Sequence, residues 1–541
     1  MSIADYLLLS WIQEERKFLS GSVIEETWRF GDLQIVEMLE DDVASLEVVR
    51  GYSSISRQSS VAVITSEYSS TDDIHRAMEE IFDQDLPVQI IILTDDNSSF
   101  RLKTQQRFKQ IPFFTYESMQ SMKSIKDSQA AVLFLTLDQL TQYIPPNMYV
   151  PPPSTQAVVE TNNNRNQFSE FVSCARRPVL VLGVGTRHEH KKQILAFRMP
   201  VVVVHETLDL IPGNNRYFMG RVGMDGDRAG NFTLQNADLV VFLGTVRFRE
   251  KHSWMLREAH SVSIPTENIS LFLSNTNFQP TPDHITRWQQ WYETCRHWRS
   301  RWMSEMPRME EDHQESSSLL HPYLFHALVQ ECLSSTTKTI VGGIDTSWWY
   351  PLYQQTILQE EDRFLATFSA SVLPLAIGAL STLSSDDNRT ILIFMGEKAM
   401  LRFQDLTALY EFISNSNSIS FIRIVCMNPT KSDLVLQLDE NGYLAPISSV
   451  SLSQEGGESY TLSDLSEISG LEAEVRSVSA YEDIMDLFHT ESRIVFIDAH
   501  VTDQFTPTPR GRADKPLEIM EPLLPKNDME IEMLIQPIML D

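Results

Sequence analysis

The turn F-M-G-E-K-A-M, residues 394–400, combines a glycine with two charged side chains at a place where ligands commonly bind. It follows the apolar run I-L-I-F and precedes the helical pattern R-F-Q-D-L-T-A-L-Y-E-F-I. In open parallel sheets, ligands bind beyond the carboxyl ends of the strands, where the chain turns into a helix. The position of Gly396, Glu397 and Lys398 therefore makes this turn a candidate ligand site.

A second glycine-containing turn, G-V-G-T, follows the apolar run P-V-L-V-L, with Gly183 and Gly185 two residues apart. Glycines at such a turn allow close approach of the backbone to a phosphate. The dinucleotide fingerprint needs a third glycine at a fixed spacing, which this turn lacks. Both a nucleotide site and an ordinary strand-to-helix turn stay open, and the ordinary turn is favoured.

The run R-H-E-H-K-K, residues 187–192, invites a metal interpretation. However, His188 and His190 are two residues apart and do not share a helix face. The run therefore predicts a solvated start of a helix. The chain also has no G-x-S-x-G motif, so a serine hydrolase is disfavoured.

The aromatic segment 287–302 raises the question of nucleic-acid stacking. Its Trp and Cys residues recur every three or four positions, which predicts one buried helix face under a domain interface. These residues are Trp288, Trp291, Cys295, Trp298 and Trp302.

Composition limits the function classes. The chain has 541 residues, which suggests about three or four domains. With 44 Lys and Arg against 73 Asp and Glu, its formal net charge is -29, so nucleic acid is not an expected ligand. The four cysteines are far apart and indicate reduced thiols in a cytoplasmic protein. No run approaches the ~20 apolar residues of a membrane span, and the first residues predict a helix capped by Ser2, not a signal peptide.

Short apolar runs alternate with helical patterns along the chain, which is typical of parallel sheets buried on both faces. The pattern predicts an α/β protein of three consecutive parallel-sheet domains. Pro-rich, Asn-rich and polar stretches separate them. The expected division is a first domain at 1–143, a linker at 144–168, a central domain at 169–305, a linker at 306–320, a third domain at 321–505 and a poorly ordered acidic tail at 506–541.

The middle block resembles the central domain of acetolactate synthase-like, thiamine-diphosphate-dependent enzymes. The resemblance is carried by R-P-V-L-V-L-G-V-G, by M-P-V-V-V-V and by the long run from I-P-G-N-N-R-Y-F to A-D-L-V-V-F-L-G-T-V-R-F, residues 211–248. Some members of the family bind FAD against this domain. The resemblance therefore makes Gly223, Gly226 and Arg247 weak nucleotide candidates, together with Gly183 and Gly185.

The outer blocks resemble the family's other two domains in the family's order. G-Y-S-S, residues 51–54, stands where the pyrimidine-binding domain has G-Y-A-R. V-L-P-L-A-I-G-A-L, residues 372–380, stands where the diphosphate-binding domain has G-L-P-A-A-I-G-A-A. Because family sites form where the first domain of one chain meets the third domain of another, the resemblance implies a homodimer or tetramer.

The same comparison implies that the cofactor chemistry is degenerate. Gly396 stands where the family has the aspartate that binds Mg²⁺, and Asn428 is what remains of a downstream Asn-Asn pair. Asp42 stands where the family has the glutamate that activates the aminopyrimidine ring, and it is one methylene shorter. The family has a loop of the sequence T-S-G-P-G-A-T-N. Here Glu67 and Ser69 stand in place of its two glycines, and Tyr68 stands in place of its proline.

These substitutions predict a catalytically inactive homologue that acts as a structural, scaffolding or regulatory protein. No cofactor is expected, and the predicted partners are other copies of the chain or other proteins. The alternative is an active carboligase or 2-oxo acid decarboxylase, with Asp42 as ring activator and with thiamine diphosphate and Mg²⁺ bound.

Overall fold

The protein is described from a computed structural model of the full chain. The described residues are 18–21, 34–38, 41–66, 68–94, 99–109, 111–115, 130–136, 162–223, 225–246, 256, 259–276, 278–304, 319–343, 348–367, 371–383, 387, 389–395, 401–415, 421–429, 435–438, 443–446, 459–470, 473–488 and 490–502. Contacts divide the chain into two compact units. The first contains 1–156, 333–349 and 363–501, and the second contains 157–332, 350–362 and 502–541.

The first unit contains a six-stranded parallel sheet built from the amino-terminal part of the chain. Its order is β2-β1-β3-β4-β6-β5. The chain runs outward from β1 in one direction and from β3 in the other, so the carboxyl ends of β1 and β3 form the point where a ligand site is expected. The strands are β1 (Phe18–Gly21), β2 (Gln34–Glu37), β3 (Ser60–Ile64), β4 (Val88–Leu93), β5 (Phe113–Thr115) and β6 (Ala131–Leu135), and the helices are α1 (Asp42–Ser56), α2 (Thr71–Asp83) and α3 (Ser99–Arg107).

A second six-stranded parallel sheet lies in the same unit, in the order β13-β12-β14-β16-β21-β20. The direction of winding changes between β12 and β14. β14, which contains the first two residues of the predicted turn 394–400, ends at this point with Met395, and residues 396–400 lie outside the described part of the chain. The strands are β12 (Lys338–Gly343), β13 (Arg363–Thr367), β14 (Thr390–Met395), β16 (Phe421–Asn428), β20 (Glu474–Val478) and β21 (Ile494–His500), and the helices are α11 (Val372–Leu380), α12 (Phe403–Asn415), α13 (Leu462–Ser469) and α14 (Tyr481–Leu487).

A small antiparallel sheet, which the sequence did not predict, completes the first unit. Its order is β15-β18-β17-β19. Its strands have two to four residues and carry no long apolar run, so no periodic signal marks them. They are β15 (Leu401–Arg402), β17 (Val435–Leu438), β18 (Tyr443–Pro446) and β19 (Ser459–Thr461).

One apolar core joins the two large sheets of the first unit. It includes residues of α1 and β3 as well as residues of α11, β14 and β16. Helix α1 and helix α11 pack against each other at Gly51 and Gly378. The two six-stranded sheets are therefore parts of one packed body within the first unit.

The second unit contains a five-stranded parallel sheet in the order β11-β10-β7-β8-β9. Its winding direction changes between β7 and β10. The strands are β7 (Pro178–Leu182), β8 (Val201–Val203), β9 (Phe218–Arg221), β10 (Leu239–Leu243) and β11 (His260–Ile264), and the helices are α4 (Asn162–Cys174), α5 (Lys191–Ala196), α6 (Arg228–Gln235), α7 (Ile269–Thr276), α8 (Pro282–Ser304), α9 (Pro322–Cys332) and α10 (Trp349–Gln355), the last without its first residue.

The predicted α/β fold with three parallel sheets is confirmed. Two local expectations need correction. The Asn-rich part of the predicted linker 144–168 is helical from Asn162, where α4 begins, and Phe168 of this helix is fully buried. The aromatic helix α8 buries Trp288, Trp291, Cys295 and Trp298 as expected, but Trp291 and Trp298 pack in the core of the central sheet itself, not under a domain interface.

Within the described residues, no helix is both long enough and apolar enough to cross a bilayer.

Candidate functional site

Several residues singled out in the sequence lie outside the described part of the chain. They are Gly396, Glu397 and Lys398 of the turn after β14, Glu67 of the loop after β3, and Arg247. The predicted first helix with Ser2, the side chain of Trp302 and the predicted tail from 506 lie outside it as well. Their roles stay predictions.

Asp42 lies at the carboxyl edge of the first sheet and is fully buried. It is the first residue of α1 and is preceded by the helix cap Asp41. One carboxylate oxygen accepts the backbone N–H of Thr65 at 2.9 Å and the Thr65 hydroxyl at 3.4 Å. The other oxygen accepts the backbone N–H of Tyr68 at 3.1 Å. Both oxygens therefore hold the loop that follows β3.

Asp41 caps the helix and also reaches the same loop. One of its oxygens accepts the backbone N–H of Ala44 at 2.9 Å, which satisfies a free donor in the first turn of α1. The same oxygen accepts the Ser69 hydroxyl at 3.4 Å. The adjacent aspartates thus fasten the start of α1 to the segment 65–69.

A buried ionic cluster lies further along α1, and sequence reasoning missed it. Arg50 donates two hydrogen bonds to Glu47, at 2.9 and 2.6 Å, and its guanidinium lies 2.9 Å from Glu80. Arg50 also donates to the backbone carbonyl of Ala366, and Thr367 donates to Glu47 at 3.0 Å. Polar side chains of α1 thereby bind the end of β13, and Glu80 of α2 pairs with one of them, Arg50. The i, i+3 spacing of Glu47 and Arg50 was the available signal.

Asn428 ends β16 and is 1% exposed. Its amide donates to Asp498 of β21 at 2.8 Å. His500, which also lies on β21, shares a hydrogen bond of 2.7 Å with Ser477 of β20. Burial raises the pKa of the nearby Cys426 thiol. The Asn428 side chain is thus engaged by a carboxylate of its own sheet.

The strands that would carry a diphosphate site both continue into the antiparallel sheet. β14 ends at Met395 and β15 begins at Leu401, while β16 ends at Asn428 and β17 begins at Val435. A chain spans at most about 3.5 Å per residue. The small sheet therefore lies within about 25 Å of the carboxyl edge formed by β14 and β16.

The glycines of the central sheet have internal packing roles. A Cβ on Gly183 would lie 2.5 Å from the backbone oxygen of Thr245, and a Cβ on Gly185, whose φ is +90°, would lie 2.2 Å from the Thr266 side chain. Val184 and Thr245 exchange backbone hydrogen bonds of 2.8 and 2.9 Å. The loops after β7 and β10 therefore contact each other at the point where the winding direction changes.

Gly223 and Gly226 belong to a turn that Asn231 and Arg221 hold. Asn231 accepts from the Gly223 N–H at 3.0 Å and donates to its carbonyl at 2.9 Å. A Cβ on Gly226 would lie 2.4 Å from the backbone oxygen of Arg221. A Cβ on Gly223 would meet nothing within 4 Å, but its φ of +115° favours glycine. The nucleotide role of these glycines stays a prediction.

The R-H-E-H-K-K run is only partly solvated, so its prediction needs correction. His190 is buried, accepts the backbone N–H of Arg187 at 3.2 Å and shares a hydrogen bond of 2.8 Å with Ser270. His188 lies 3.6 Å from Asp209. Among the described residues, no group of three or more His, Cys, Asp or Glu side chains is arranged to hold a metal ion.

Two arginines near the central sheet were not predicted: Arg221 of β9, which is buried, and Arg299, which is partly buried. Arg299 of α8 donates to the backbone carbonyls of Gly213, Asn215 and Phe218. Burial, with the neighbouring Arg221 charge as the next cause, lowers the pKa of Arg299 to about 10. Arg221 forms an ion pair with Asp227 at 3.2 Å and also donates to the carbonyl of Thr356. Both arginines satisfy backbone oxygens, which is a structural role.

Comparison with known proteins supports the resemblance seen in the sequence. Residues 166–269 match the family model described as the central domain of thiamine pyrophosphate enzymes. This matched segment contains the central sheet from α4 to the start of α7.

Two curated proteins are similar to parts of the chain. The putative thiamine pyrophosphate-containing protein YdaP of Bacillus subtilis (strain 168) is 21% identical over 305 residues, which is 51% of this chain and 51% of that protein. The 3D-(3,5/4)-trihydroxycyclohexane-1,2-dione hydrolase 2 of Bacillus cereus (strain ZK / E33L) is 32% identical over 113 residues, which is 20% of this chain and 17% of that protein. The chain thus spans about half the length of the first relative and less of the second.

Proposed function

We propose that this chain, which belongs to the thiamine-diphosphate-dependent enzyme superfamily, is a catalytically inactive member with a structural, scaffolding or regulatory role. The observation that carries the proposal is the bonding of Asp42. In its family position this carboxylate would bind the aminopyrimidine ring, whereas here both oxygens accept hydrogen bonds from Thr65 and Tyr68.

Thiamine diphosphate does not fit the Asp42 position as it is arranged. Asp42 is fully buried, and its carboxylate oxygens accept the backbone N–H groups of Thr65 and Tyr68. A ring that replaced them would leave buried donors unpaired, at a cost of about 1–3 kcal/mol for each. The shorter Asp side chain also places the carboxylate about 1 Å from where a glutamate would hold it, an error that costs about 100-fold in rate.

The diphosphate end offers a second argument. Mg²⁺ needs hard oxygen ligands in nearly octahedral geometry. By alignment, Gly396 replaces the aspartate ligand, and the Asn428 amide is already bonded to Asp498. A metal bound there would need Asn428 to turn from Asp498 and a new ligand to replace the missing aspartate.

The competing candidate is an active carboligase or 2-oxo acid decarboxylase with unusual ligands. It is favoured by one observation: Asp42 is a buried carboxylate at the carboxyl edge of the first sheet, hydrogen-bonded to the loop that follows β3. In that case Asp42 would activate the pyrimidine ring, and thiamine diphosphate with Mg²⁺ would bind. We also propose a cytoplasmic location and assembly into a homodimer or tetramer, without nucleic acid as a ligand.

A thermal-shift comparison separates the two candidates. A ligand that binds only the folded state stabilises it by about 2.7 kcal/mol at 100 times its dissociation constant. With millimolar thiamine diphosphate and Mg²⁺, we expect no change in melting temperature for the parent chain. An active thiamine-diphosphate enzyme serves as the positive control, and a clear increase for this chain would favour the competing candidate.

A gain-of-function series adds a matched test. The substitutions Asp42→Glu and Gly396→Asp return the two family side chains, singly and together. With Mg²⁺ and thiamine diphosphate, we expect a larger rise in melting temperature for the double variant than for either single variant. An equal rise in melting temperature for the parent chain and the double variant would show that Asp42 and Gly396 do not prevent binding. The proposal would then fail.

A further inference from the structure

A serine and a histidine pair at the carboxyl edge of the second six-stranded sheet. Ser477 lies on β20, one residue before that strand ends, and His500 is the last residue of β21. The Ser477 hydroxyl and the His500 Nε2 share a hydrogen bond of 2.7 Å. Ser477 is exposed, whereas His500 is buried. The histidine therefore lies beneath a hydroxyl that solutes can reach.

A buried carboxylate lies next to the same histidine nitrogen. Asp498 is two residues before His500 on β21, so both side chains lie on one face of the sheet. Its Oδ2 lies 4.0 Å from the His500 Nε2, while its Oδ1 accepts the Asn428 amide at 2.8 Å. An imidazolium formed at His500 is therefore within ion-pair distance of a carboxylate that is already held in place. A carboxylate beside a general base stabilises the base after it has taken a proton.

The backbone next to the serine supplies a hydrogen-bond donor. β20 is the last strand at its end of the sheet, and in the described residues no strand pairs with its outer side. Successive N–H groups of a strand point to opposite sides, so either Ser477 or Val478 directs its N–H away from β21. When a hydroxyl attacks a carbonyl carbon, a backbone N–H beside it stabilises the negative oxygen that forms. The free edge of β20 thus offers such a donor.

We propose that Ser477 is an acyl-accepting nucleophile, with His500 as its general base and Asp498 as a positioning residue. The donor is an activated acyl compound, an aryl ester or a thioester, whose leaving group departs readily from a site that solvent reaches. The Ser477 Oγ bonds to the carbonyl carbon, and the bond from that carbon to the leaving oxygen or sulfur breaks. The hydroxyl proton passes to the His500 Nε2 and then to the leaving group. The product is an ester at Ser477, which makes this a covalent modification site that needs no thiamine chemistry.

The sequence pattern pointed away from serine chemistry because the chain has no G-x-S-x-G motif. That motif places a serine on a sharp turn between a strand and a helix, whereas Ser477 lies within an edge strand. His500 is 23 positions further along the chain, so no local pattern marks the pair. The pairing of β20 with β21 brings the two residues together.

The first test uses the unmodified full chain with p-nitrophenyl acetate as the acyl donor, and mass spectrometry of peptides follows acetylation of each serine. Ser479 is the matched reference, because it is also exposed and lies two residues from Ser477. General-base catalysis contributes about 10²–10⁴-fold, so Ser477 should be acetylated at least about 100-fold faster than Ser479. Similar rates at the two serines overturn the proposal, and this comparison needs no variant to fold.

Variants then assign the base. His500→Gln can still form a hydrogen bond but takes no proton, so acetylation of Ser477 should fall about 100-fold while that of Ser479 stays the same. The control is His75→Gln, which replaces a buried histidine of the same unit that also bonds a hydroxyl, and it should leave the Ser477 rate within about twofold. An unchanged melting temperature identifies the variants that fold. A folded His500→Gln chain with the parent rate at Ser477 overturns the proposal.

Asp498→Asn tests the positioning residue, since it keeps the shape of the side chain and removes its charge. The ratio of the Ser477 rate to the Ser479 rate should fall about tenfold or more, because the imidazolium loses its carboxylate. A merely structural role would alter the melting temperature without changing this ratio. A folded variant that keeps the parent ratio therefore overturns the assigned role of Asp498.

Discussion

Gly51 of α1 and Gly378 of α11 face each other across a helix crossing at which two backbones touch. A Cβ on Gly51 would lie 2.2 Å from the carbonyl oxygen of Leu375, and one on Gly378 would lie 2.0 Å from the carbonyl oxygen of Val48. Each glycine thus makes room for a backbone carbonyl of the other helix. They belong to G-Y-S-S and A-I-G-A-L, the motifs that link the outer sheets to the superfamily. The packing of α1 against α11 therefore depends on one glycine from each motif.

Replacing either glycine by alanine should destabilise the first unit by about 2–3 kcal/mol, because the added methyl overpacks a rigid contact. Helix propensity alone predicts the opposite, a gain of about 1 kcal/mol. Chemical denaturation of Gly51→Ala and Gly378→Ala checks the sign. Glu411→Ala, on the exposed face of α12, is a control that should change stability by less than about 0.5 kcal/mol. Stabilisation by either glycine variant would show that the helices do not touch.

Arg50 should be needed to neutralise the two glutamates it contacts. Arg50→Met leaves Glu47 and Glu80 without their shared cation and should cost about 3–5 kcal/mol, since a buried charge is left uncompensated. Adding Glu47→Gln and Glu80→Gln to that variant should return part of the loss. Arg107→Met, which breaks an exposed pair with Glu79, should cost at most about 1 kcal/mol. Equal losses for the two arginine variants in urea titrations would argue against a buried network.

Asp42 should behave as a structural residue. Asp42→Ala removes the acceptor of two N–H groups and should destabilise the chain by about 2–4 kcal/mol. Asp41→Ala, which removes the helix cap and the longer contact with the Ser69 hydroxyl, should cost about 1 kcal/mol. Catalytic residues are often replaced without loss of stability, because active sites carry strain. A neutral or stabilising Asp42→Ala in a denaturation series would therefore favour the active-enzyme candidate.

His326 should make the second unit sensitive to acid. Burial lowers the pKa of this α9 histidine from 6.5 to about 3. The unfolded chain binds a proton below about pH 6.5 while the folded chain does not, so stability is full above that pH and falls as the pH approaches 3. The loss at pH 5 is about 2 kcal/mol. Urea midpoints at pH 7.5 and 5 should differ less for His326→Leu than for the parent. Identical pH dependence in both would contradict this assignment.

The main strands could be predicted because each is a continuous apolar run buried on both faces. The runs P-V-L-V-L and I-L-I-F, which became β7 and β14, are examples, and each is followed by residues that favour turns. Short strands such as β15 and β19 pair only with distant parts of the chain. Two or three residues are too few to show a hydrophobic periodicity, so the antiparallel sheet could not be predicted from the sequence.

The position of the candidate cofactor site could be predicted from the sequence, but the hydrogen bonds of its residues could not. Resemblance placed Asp42 and Asn428, and the structure puts both at the carboxyl edges of parallel sheets. The partners could not be foreseen. Asp42 bonds backbone N–H groups, which every residue type carries, and Asn428 bonds Asp498, which is 70 positions away. Such contacts depend on how the loops fold, and no local pattern records that.

In the proposed function, the chain itself uses the side chains that would otherwise bind the cofactor. Isothermal titration of the parent chain with thiamine diphosphate and saturating Mg²⁺ tests this most directly, with an active member of the superfamily titrated alongside. We predict no heat beyond dilution for this chain. Saturable binding with a micromolar dissociation constant, about -8 kcal/mol in free energy, would contradict the claim.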